Sequence, residues 1–298
     1  MAYNLAEYFK EIDRYEAANL FFWQVPEEVH FRDGISLILY RNLRLLNYYN
    51  MNFQKKQFAS MLHRFRVLLR RTTTLLETFS HFYDADTVHE ADLLLEHYYE
   101  ETKLLRYLYF MGDLCATREN ISLTLYSELK DLIVEEEQVV TPKMLALPFV
   151  QMIERLTREV KGEDATRYIS VERGAKEVVR DYLGRLEILL EKTREGYDAV
   201  RLESLYLLLD TLQTLIEDMF HLFGKRETEQ LVEELNILLK PLREYRNCKE
   251  RETILTAIKE RSKNKGLDVT PLLCQHKEAL EEKIAEALKL LRSSRFYI

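Results

Sequence analysis

The chain has few of the residues that interrupt helices. Its 298 residues include only 8 glycines and 5 prolines, too few for the many turns of a strand-rich fold. Leu, Glu, Lys, Arg and Ala, which favour helices, are common instead. The composition and the apolar periodicity predict an all-α protein of about eleven helices. One of these is expected over 86–112, and two separate helices are expected over 226–246 and 249–265.

Long apolar runs are also missing. No stretch of about 18 apolar residues occurs, so the sequence predicts no membrane-spanning segment. The opening residues, MAYNLAEYFKEIDRYEAANLFFW, place acidic side chains ahead of the apolar patch and do not resemble a signal peptide. The expectation is a cytoplasmic protein.

Cysteine is scarce, and no two cysteines form a CxxC pair. Cys115, Cys248 and Cys274 lie far apart, which favours neither a zinc knuckle nor a disulfide framework. We expect all three to be thiols in a reducing compartment.

The sequence contains none of the short motifs that mark common enzyme classes. It has no G-x-S-x-G, no Walker loop, no G-x-G-x-x-G and no H-E-x-x-H. His89 and His97 are eight residues apart, whereas two metal ligands on one helix are normally three or four apart. We therefore predict no enzymatic activity, no catalytic residues, no metal site and no cofactor.

Positive charge does not dominate the chain as a whole. The formal net charge is -7 and the isoelectric point is about 5.7. A general nucleic-acid binder needs a basic surface that contacts many phosphates. Sequence-specific nucleic-acid binding is therefore not expected.

The chain does contain an internal repeat. A shift of 140 residues aligns 34–81 with 174–221 without a gap, so that Gly34 meets Gly174 and three further polar residues, Thr74, Glu77 and His81, meet their own kind. This predicts two helical bundles, 30–165 and 166–298, related by a pseudo-two-fold axis and packed as one body. The extra helical segment 1–29 is expected to cap the bundle. A surface for a protein partner or for self-association at 1–24 is the alternative.

Basic residues are concentrated in the first copy of the repeat. The window 34–76 has eight basic residues and no acidic residue, whereas the equivalent window 174–216 has six basic and eight acidic residues. The basic residues of the first window are Arg41, Arg44, Lys55, Lys56, Arg64, Arg66, Arg70 and Arg71.

The stretch LHRFRVLLRRTTTLL (62–76) arranges part of this charge on one helix face. At 100° per residue, His63, Arg66 and Arg70 fall in a row roughly 10 Å long, opposite an apolar face, with Arg64 and Arg71 beside them. Guanidinium groups bind phosphate oxygens in pairs, so the row suits a linear polyanion. A solvated or salt-bridged helix face is the alternative interpretation.

The same stretch resembles the signature helix of the CHAD family, the conserved histidine α-helical domain. The family pattern is H-x-x-R-V-x-x-R-R-x-R, and His63, Arg66, Val67, Arg70 and Arg71 match it, while Thr73 stands at its last arginine. RDGISLILYRNLRLL and ALKLLRSSRFY resemble the first and last helices of such domains, so the resemblance covers about 32–298. It implies two four-helix-type bundles and inorganic polyphosphate bound in a basic cleft between them.

The second copy departs from what the resemblance implies. The places of its basic residues hold Glu203, Tyr206, Asp210, Thr211, Gln213 and Thr214. Glu203 and Asp210 either face the arginine row and neutralise it or point elsewhere, and the sequence leaves both arrangements open.

The leading hypothesis is non-enzymatic binding of a polyanion, with inorganic polyphosphate as the preferred partner. A scaffold or interaction module that has lost phosphate binding is the alternative, and a polyphosphate hydrolase ranks third. The predicted binding residues are His63, Arg66, Arg70 and Arg71, supported by Arg41, Arg44, Lys55, Lys56 and Arg64.

Overall fold

The described part of the chain is helical throughout. The structure is a computed structural model that describes residues 3–56, 59–117, 122–144, 147–162, 169–193, 196, 198–262, 268–273 and 277–291. Within these ranges it has twelve α-helices, three short 3-10 helices and no strand, which confirms the all-α prediction. The α-helices are α1 (Leu5–Arg14), α2 (Ala17–Leu20), α3 (Phe31–Lys56), α4 (Ala59–Thr78), α5 (Ala85–Glu101), α6 (Lys103–Thr117), α7 (Leu123–Met144), α8 (Leu147–Val160), α9 (Val171–Lys192), α10 (Ala199–Asp218), α11 (Lys225–Arg261) and α12 (Lys277–Leu291).

The boundaries of these helices recur at the spacing of the sequence repeat. Helices α3 and α9 begin at Phe31 and Val171, and helices α4 and α10 span Ala59–Thr78 and Ala199–Asp218. Each of the latter pair is followed by a 3-10 turn, at Ser80–Phe82 and Phe220–Leu222. Every one of these pairs is 140 residues apart, so the two copies of the repeat have folded alike.

A symmetric contact joins the two halves where α3 and α9 begin. His30 and Ser170 form an isolated antiparallel bridge. The Phe31 amide donates to the Ile169 carbonyl at 2.9 Å, and the Val171 amide donates to the Val29 carbonyl at 3.2 Å. Phe31 is equivalent to Val171 in the repeat, and Ile169 is equivalent to Val29, so each hydrogen bond is the symmetry copy of the other. The pseudo-two-fold axis therefore passes through this bridge.

The repeated glycines sit at this same contact. A Cβ on Gly34 would lie 2.5 Å from Cγ2 of Val171, and a Cβ on Gly174 would lie 2.2 Å from Cγ of Phe31. Neither glycine can carry a side chain without moving the other half away. The identity of Gly34 and Gly174 in the repeat is therefore a consequence of close packing across the axis.

Helix α4 buries the apolar face that its periodicity predicts. That face comprises Phe65, Leu68, Leu69, Thr72, Leu75, Leu76 and Phe79, all of them buried. All of them except the polar Thr72 belong to one hydrophobic core that continues through both halves of the molecule. The N-terminal segment joins this core through Phe9, Ile12, Leu20 and Trp23.

The helices predicted over 86–112, 226–246 and 249–265 have other boundaries in the structure. The segment predicted as one helix over 86–112 is divided at Thr102 into α5 and α6, and the Thr102 hydroxyl donates to the Tyr98 carbonyl at 2.8 Å. The two helices predicted over 226–246 and 249–265 are a single helix, α11, which continues past Pro241. The two halves therefore differ in the helix that follows α4 and α10.

One cysteine differs from the prediction as well. Cys115 is a buried free thiol, but Cys248 is disulfide-bonded, which corrects the expectation that all three cysteines are thiols. Cys274 lies outside the described residues.

None of the helices in the described ranges combines the length and the apolar character that crossing a membrane requires.

Candidate functional site

A cleft of about 480 Å³ opens between the two halves of the molecule. Its walls come from α4, α5 and α6 in the first half and from α10 and α11 in the second. Seven arginines and three acidic residues line it. The arginines are Arg66, Arg70, Arg71, Arg106, Arg243, Arg246 and Arg251, and the acids are Asp210, Glu217 and Glu250.

The cleft contains four of the nine residues predicted from the sequence. His63, Arg66, Arg70 and Arg71 all line it, and all four come from α4. The helix face that the periodicity predicts for these residues therefore forms part of one wall of the cleft.

The five supporting residues lie elsewhere, which corrects that part of the prediction. Arg41 is buried and donates to Asp218 Oδ1 at 2.6 Å, so its charge is neutralised within the core. Arg44 pairs with Asp13 of the N-terminal segment. Arg64 donates to the Tyr49 hydroxyl at 2.9 Å. Lys55 and Lys56 are exposed at the end of α3 and do not line the cleft.

Helices α6 and α11 supply four arginines that the sequence reasoning missed. They are Arg106, Arg243, Arg246 and Arg251. Arg106 and Arg246 are 140 residues apart and therefore equivalent in the repeat. Extending the alignment past residue 81 would have found this pair. In the second half, the wall of the cleft formed by α11 is therefore basic, whereas the wall formed by α10 is not.

The structure resolves which acid faces the arginine row. Asp210 Oδ2 lies 2.9 Å from Arg70 Nε, and its Oδ1 lies 3.1 Å from Arg243 Nη2. Arg71 pairs with Glu217 in the same region. Glu203 instead contacts Arg246, with Nε and Oε1 3.4 Å apart, and does not line the cleft. Asp210 therefore neutralises part of the row, and Glu203 does not.

Tyr206 organises the arginines at the α10 side. Its ring centroid lies 5.0 Å from the guanidinium carbon of Arg70 and 4.7 Å from that of Arg246. Its hydroxyl accepts a hydrogen bond of 2.6 Å from Arg70 Nη1. A buried aromatic ring beside two guanidinium groups stabilises both cations through its negative face. Tyr206 occupies the place equivalent to Arg66 in the repeat.

Arg66 is held in a different way, by groups that carry no charge. Its Nη1 donates to the Thr102 hydroxyl at 2.7 Å and to the Tyr99 carbonyl. Its guanidinium carbon lies 3.9 Å from the Tyr99 ring centroid. The Tyr99 carbonyl lies in the last turn of α5 and also accepts a hydrogen bond from the Thr102 hydroxyl at 3.2 Å, so Arg66 binds at the C-terminal end of that helix.

Comparisons with known proteins identify the fold. No protein-family model and no curated protein matches the chain. The crystal structure of the CHAD domain from the plant Ricinus communis is similar, with a TM-score of 0.68 at 12% sequence identity, over 92% of this chain and 91% of that chain. The chain has a CHAD-domain fold. The two-bundle architecture implied by the sequence resemblance is thereby confirmed.

The cleft of this CHAD fold has two ends of different electrostatic character. The α10 end is the part of the cleft that holds Arg70, Asp210 and Tyr206. Burial alone would lower the pKa of Arg70, but the interactions with Asp210 and Tyr206 are stronger together, so the pKa is raised. At the α6 end, burial and then the charge of Arg66 lower the pKa of Arg106. Burial lowers the pKa of His63 as well, followed by the charges of Arg106, Arg66 and Arg64. The α6 end thus holds like charges together.

Proposed function

We propose that the protein binds inorganic polyphosphate in this cleft and releases it unchanged. The observation that carries the proposal is the convergence of seven arginines from both halves on one cleft that contains only three carboxylates. Guanidinium groups remain charged at any usable pH and bind phosphate oxygens two at a time. A linear phosphate chain presents such oxygens along its whole length, which matches a cleft with arginines on both walls.

Calorimetric titration with medium-chain polyphosphate at low salt tests the proposal. We expect saturable binding whose affinity falls by about 400-fold between about 50 mM and about 1 M salt, because binding releases the counterions of the phosphates. Replacing Arg66 and Arg246 with Gln removes one cation from each wall and should abolish most of the binding. The matched control replaces Arg173 and Arg185, which are exposed on α9 outside the cleft, with Gln.

Three results would contradict the proposal. They are the absence of binding at low salt, binding that persists unchanged at about 1 M salt, and equal losses in the two double variants. Release of inorganic phosphate from the bound chain, assayed with and without added magnesium, would indicate hydrolysis rather than simple binding.

The ion pairs across the cleft support a second candidate, a scaffold in which the arginines only join the two halves. Asp210 and Glu217 already engage Arg70 and Arg71 of the opposite half. A scaffold would show no polyphosphate binding, and loss of these pairs would lower the stability of the protein. A binding cleft would show a loss of affinity when its cations are removed.

His63 makes the binding pH-dependent. In the free protein its pKa lies below the ordinary value, so the ring is neutral at pH 7. Bound phosphate favours the protonated ring and raises this pKa, so binding takes up a proton and becomes tighter as the pH falls. A rise of about one pKa unit corresponds to about tenfold tighter binding below the free-state pKa than at about pH 8. Titrations from about pH 5 to about pH 8 should show this dependence in the wild type, and a His63→Gln variant should show only the part that comes from the phosphate itself.

A further inference from the structure

We propose that the ligand occupies only the α6 end of the cleft, so that the protein recognises a short phosphate unit, such as tripolyphosphate or the end of a longer chain. This inference rests on the proposed function and specifies its ligand. The α6 end is defined by His63, Arg66 and Arg106.

The first reason is that the cations of this end have no acidic partner. Within the described residues, the side chains of His63 and Arg106 make no hydrogen bond and no ion pair, and Arg66 donates only to a carbonyl and a hydroxyl. In the empty protein at pH 7, His63 is neutral, and the two guanidinium groups of Arg66 and Arg106 repel each other with no ion-pair partner in the described residues. Such an arrangement costs free energy in the empty protein, and a polyanion removes that cost on binding.

Glu250 is the cleft-lining acid that contacts α6, and its oxygens are already engaged. Asp113 and Glu100 interact with the charges of Arg106 and Arg66 without forming an ion pair with them in the described ranges, and neither lines the cleft. Tyr107 donates a hydrogen bond to Oε2 of Glu250, while Arg246 Nε and Lys103 Nζ lie 3.5 Å and 4.0 Å from its Oε1. Burial and this hydrogen bond raise the pKa of Tyr107, so the Tyr107 hydroxyl stays protonated. The carboxylate is therefore already engaged by Tyr107 and Lys103 of α6 and by Arg246 of its own helix.

The second reason is that the α10 end is already occupied by carboxylates. Asp210 bridges Arg70 and Arg243, and its side chain is only 12% exposed. A phosphate chain that extended along α4 past Arg66 would have to displace Asp210 and leave this partly buried carboxylate without its cations. Separating such pairs is costly, and the like charges of phosphate and carboxylate repel each other.

The number of available cations sets the length of the ligand. One guanidinium fork binds one phosphoryl group in a bidentate manner, so Arg66, Arg106 and protonated His63 match about two to three phosphoryl groups. A longer chain can place any of its short segments in the site, but the number of phosphoryl groups that contact the protein should stay the same.

The number of contacts can be measured from the salt dependence of binding. The slope of log affinity against log salt is about −0.7 per phosphate contact for single-stranded polyanions, so about three contacts give a slope near −2. We expect this slope for tripolyphosphate and the same slope, within error, for medium-chain polyphosphate. A slope at least twice as steep for the long chain would overturn the inference while leaving polyphosphate binding intact. Failure of both ligands to bind at low salt would overturn the proposed function along with it.

An Asp210→Asn variant provides the second measurement. Removing this charge opens the α10 end, so we expect a steeper slope and at least about tenfold tighter binding for medium-chain polyphosphate, with tripolyphosphate changed by less than about threefold. The control is Asp181→Asn, an exposed acid on α9 that gives the same change in net charge. Equal gains for both ligands in the Asp210 variant would show that the short ligand also reaches Asp210 and would overturn the inference.

Discussion

An Arg106→Glu variant is expected to bind tripolyphosphate about 100-fold more weakly than the wild type. Arg106 is one of the two arginines at the α6 end and makes no hydrogen bond or ion pair within the described residues. A charge-assisted hydrogen bond contributes about 1.5–3 kcal/mol, and a carboxylate in its place adds repulsion. About 2.8 kcal/mol corresponds to a 100-fold loss of affinity, which calorimetry at low salt measures directly.

The stability of the Arg106 variants separates a binding role from a structural one. Arg106 forms no ion pair within the described part of the chain, and the charge of Arg66 acts on it more strongly than that of Asp113. An Arg106→Gln variant should therefore keep or raise its melting temperature while losing affinity. Arg173→Glu, on the exposed face of α9, gives the same change in net charge as Arg106→Glu and should keep full affinity. A large loss of stability in Arg106→Gln, or an equal loss of affinity in Arg173→Glu, would contradict the assignment.

An Asp218→Ala variant is expected to lose about 3–5 kcal/mol of unfolding free energy. The Asp218 side chain is 2% exposed and its Oδ1 lies 2.6 Å from Arg41 Nη2, with the Arg41 side chain 8% exposed. Removing the carboxylate leaves a buried guanidinium without its counter-charge. Urea unfolding followed by circular dichroism gives the difference in free energy.

Two companion variants test the cause of this loss. The pair Arg41→Met with Asp218→Leu removes both charges and should recover most of the stability, because apolar groups of similar volume replace the ion pair. Asp181→Ala breaks the exposed pair of Asp181 with Arg185 and should change the free energy by less than about 1 kcal/mol. If the double variant is as unstable as Asp218→Ala, the lost packing rather than the unpaired charge is responsible.

The parts of the fold that depend on local pattern could be predicted from the sequence. The scarcity of glycine and proline indicated an all-α fold, and the gapless repeat indicated two similar halves. The periodicity of α4 placed His63, Arg66 and Arg70 on the face opposite the core, and these residues do line the cleft.

The parts that depend on contacts between distant residues could not be predicted. Helix α3 is buried on almost every side between Gly34 and Leu46, so its periodicity does not show that Arg41 points to Asp218, which is 177 residues away. The orientation of Arg106 depends on where α6 begins, and α6 begins after a division at Thr102 that the apolar pattern of 86–112 does not reveal. Arg243 and Arg246 stood within a predicted helix, but nothing in their own segment indicated which helix they would face.

The pseudo-two-fold axis that passes through the bridge between His30 and Ser170 also determines which residues face each other in the cleft. Arg70 and Asp210 are equivalent positions, and they meet each other across the same pseudo-two-fold axis. In a dimer of identical chains, a position on the axis meets its own copy, so an arginine there could only meet an arginine and an aspartate only an aspartate. Because both halves belong to one polypeptide, each half can mutate alone. An arginine and an aspartate can therefore form an ion pair at a place where a homodimer would bring two like charges together.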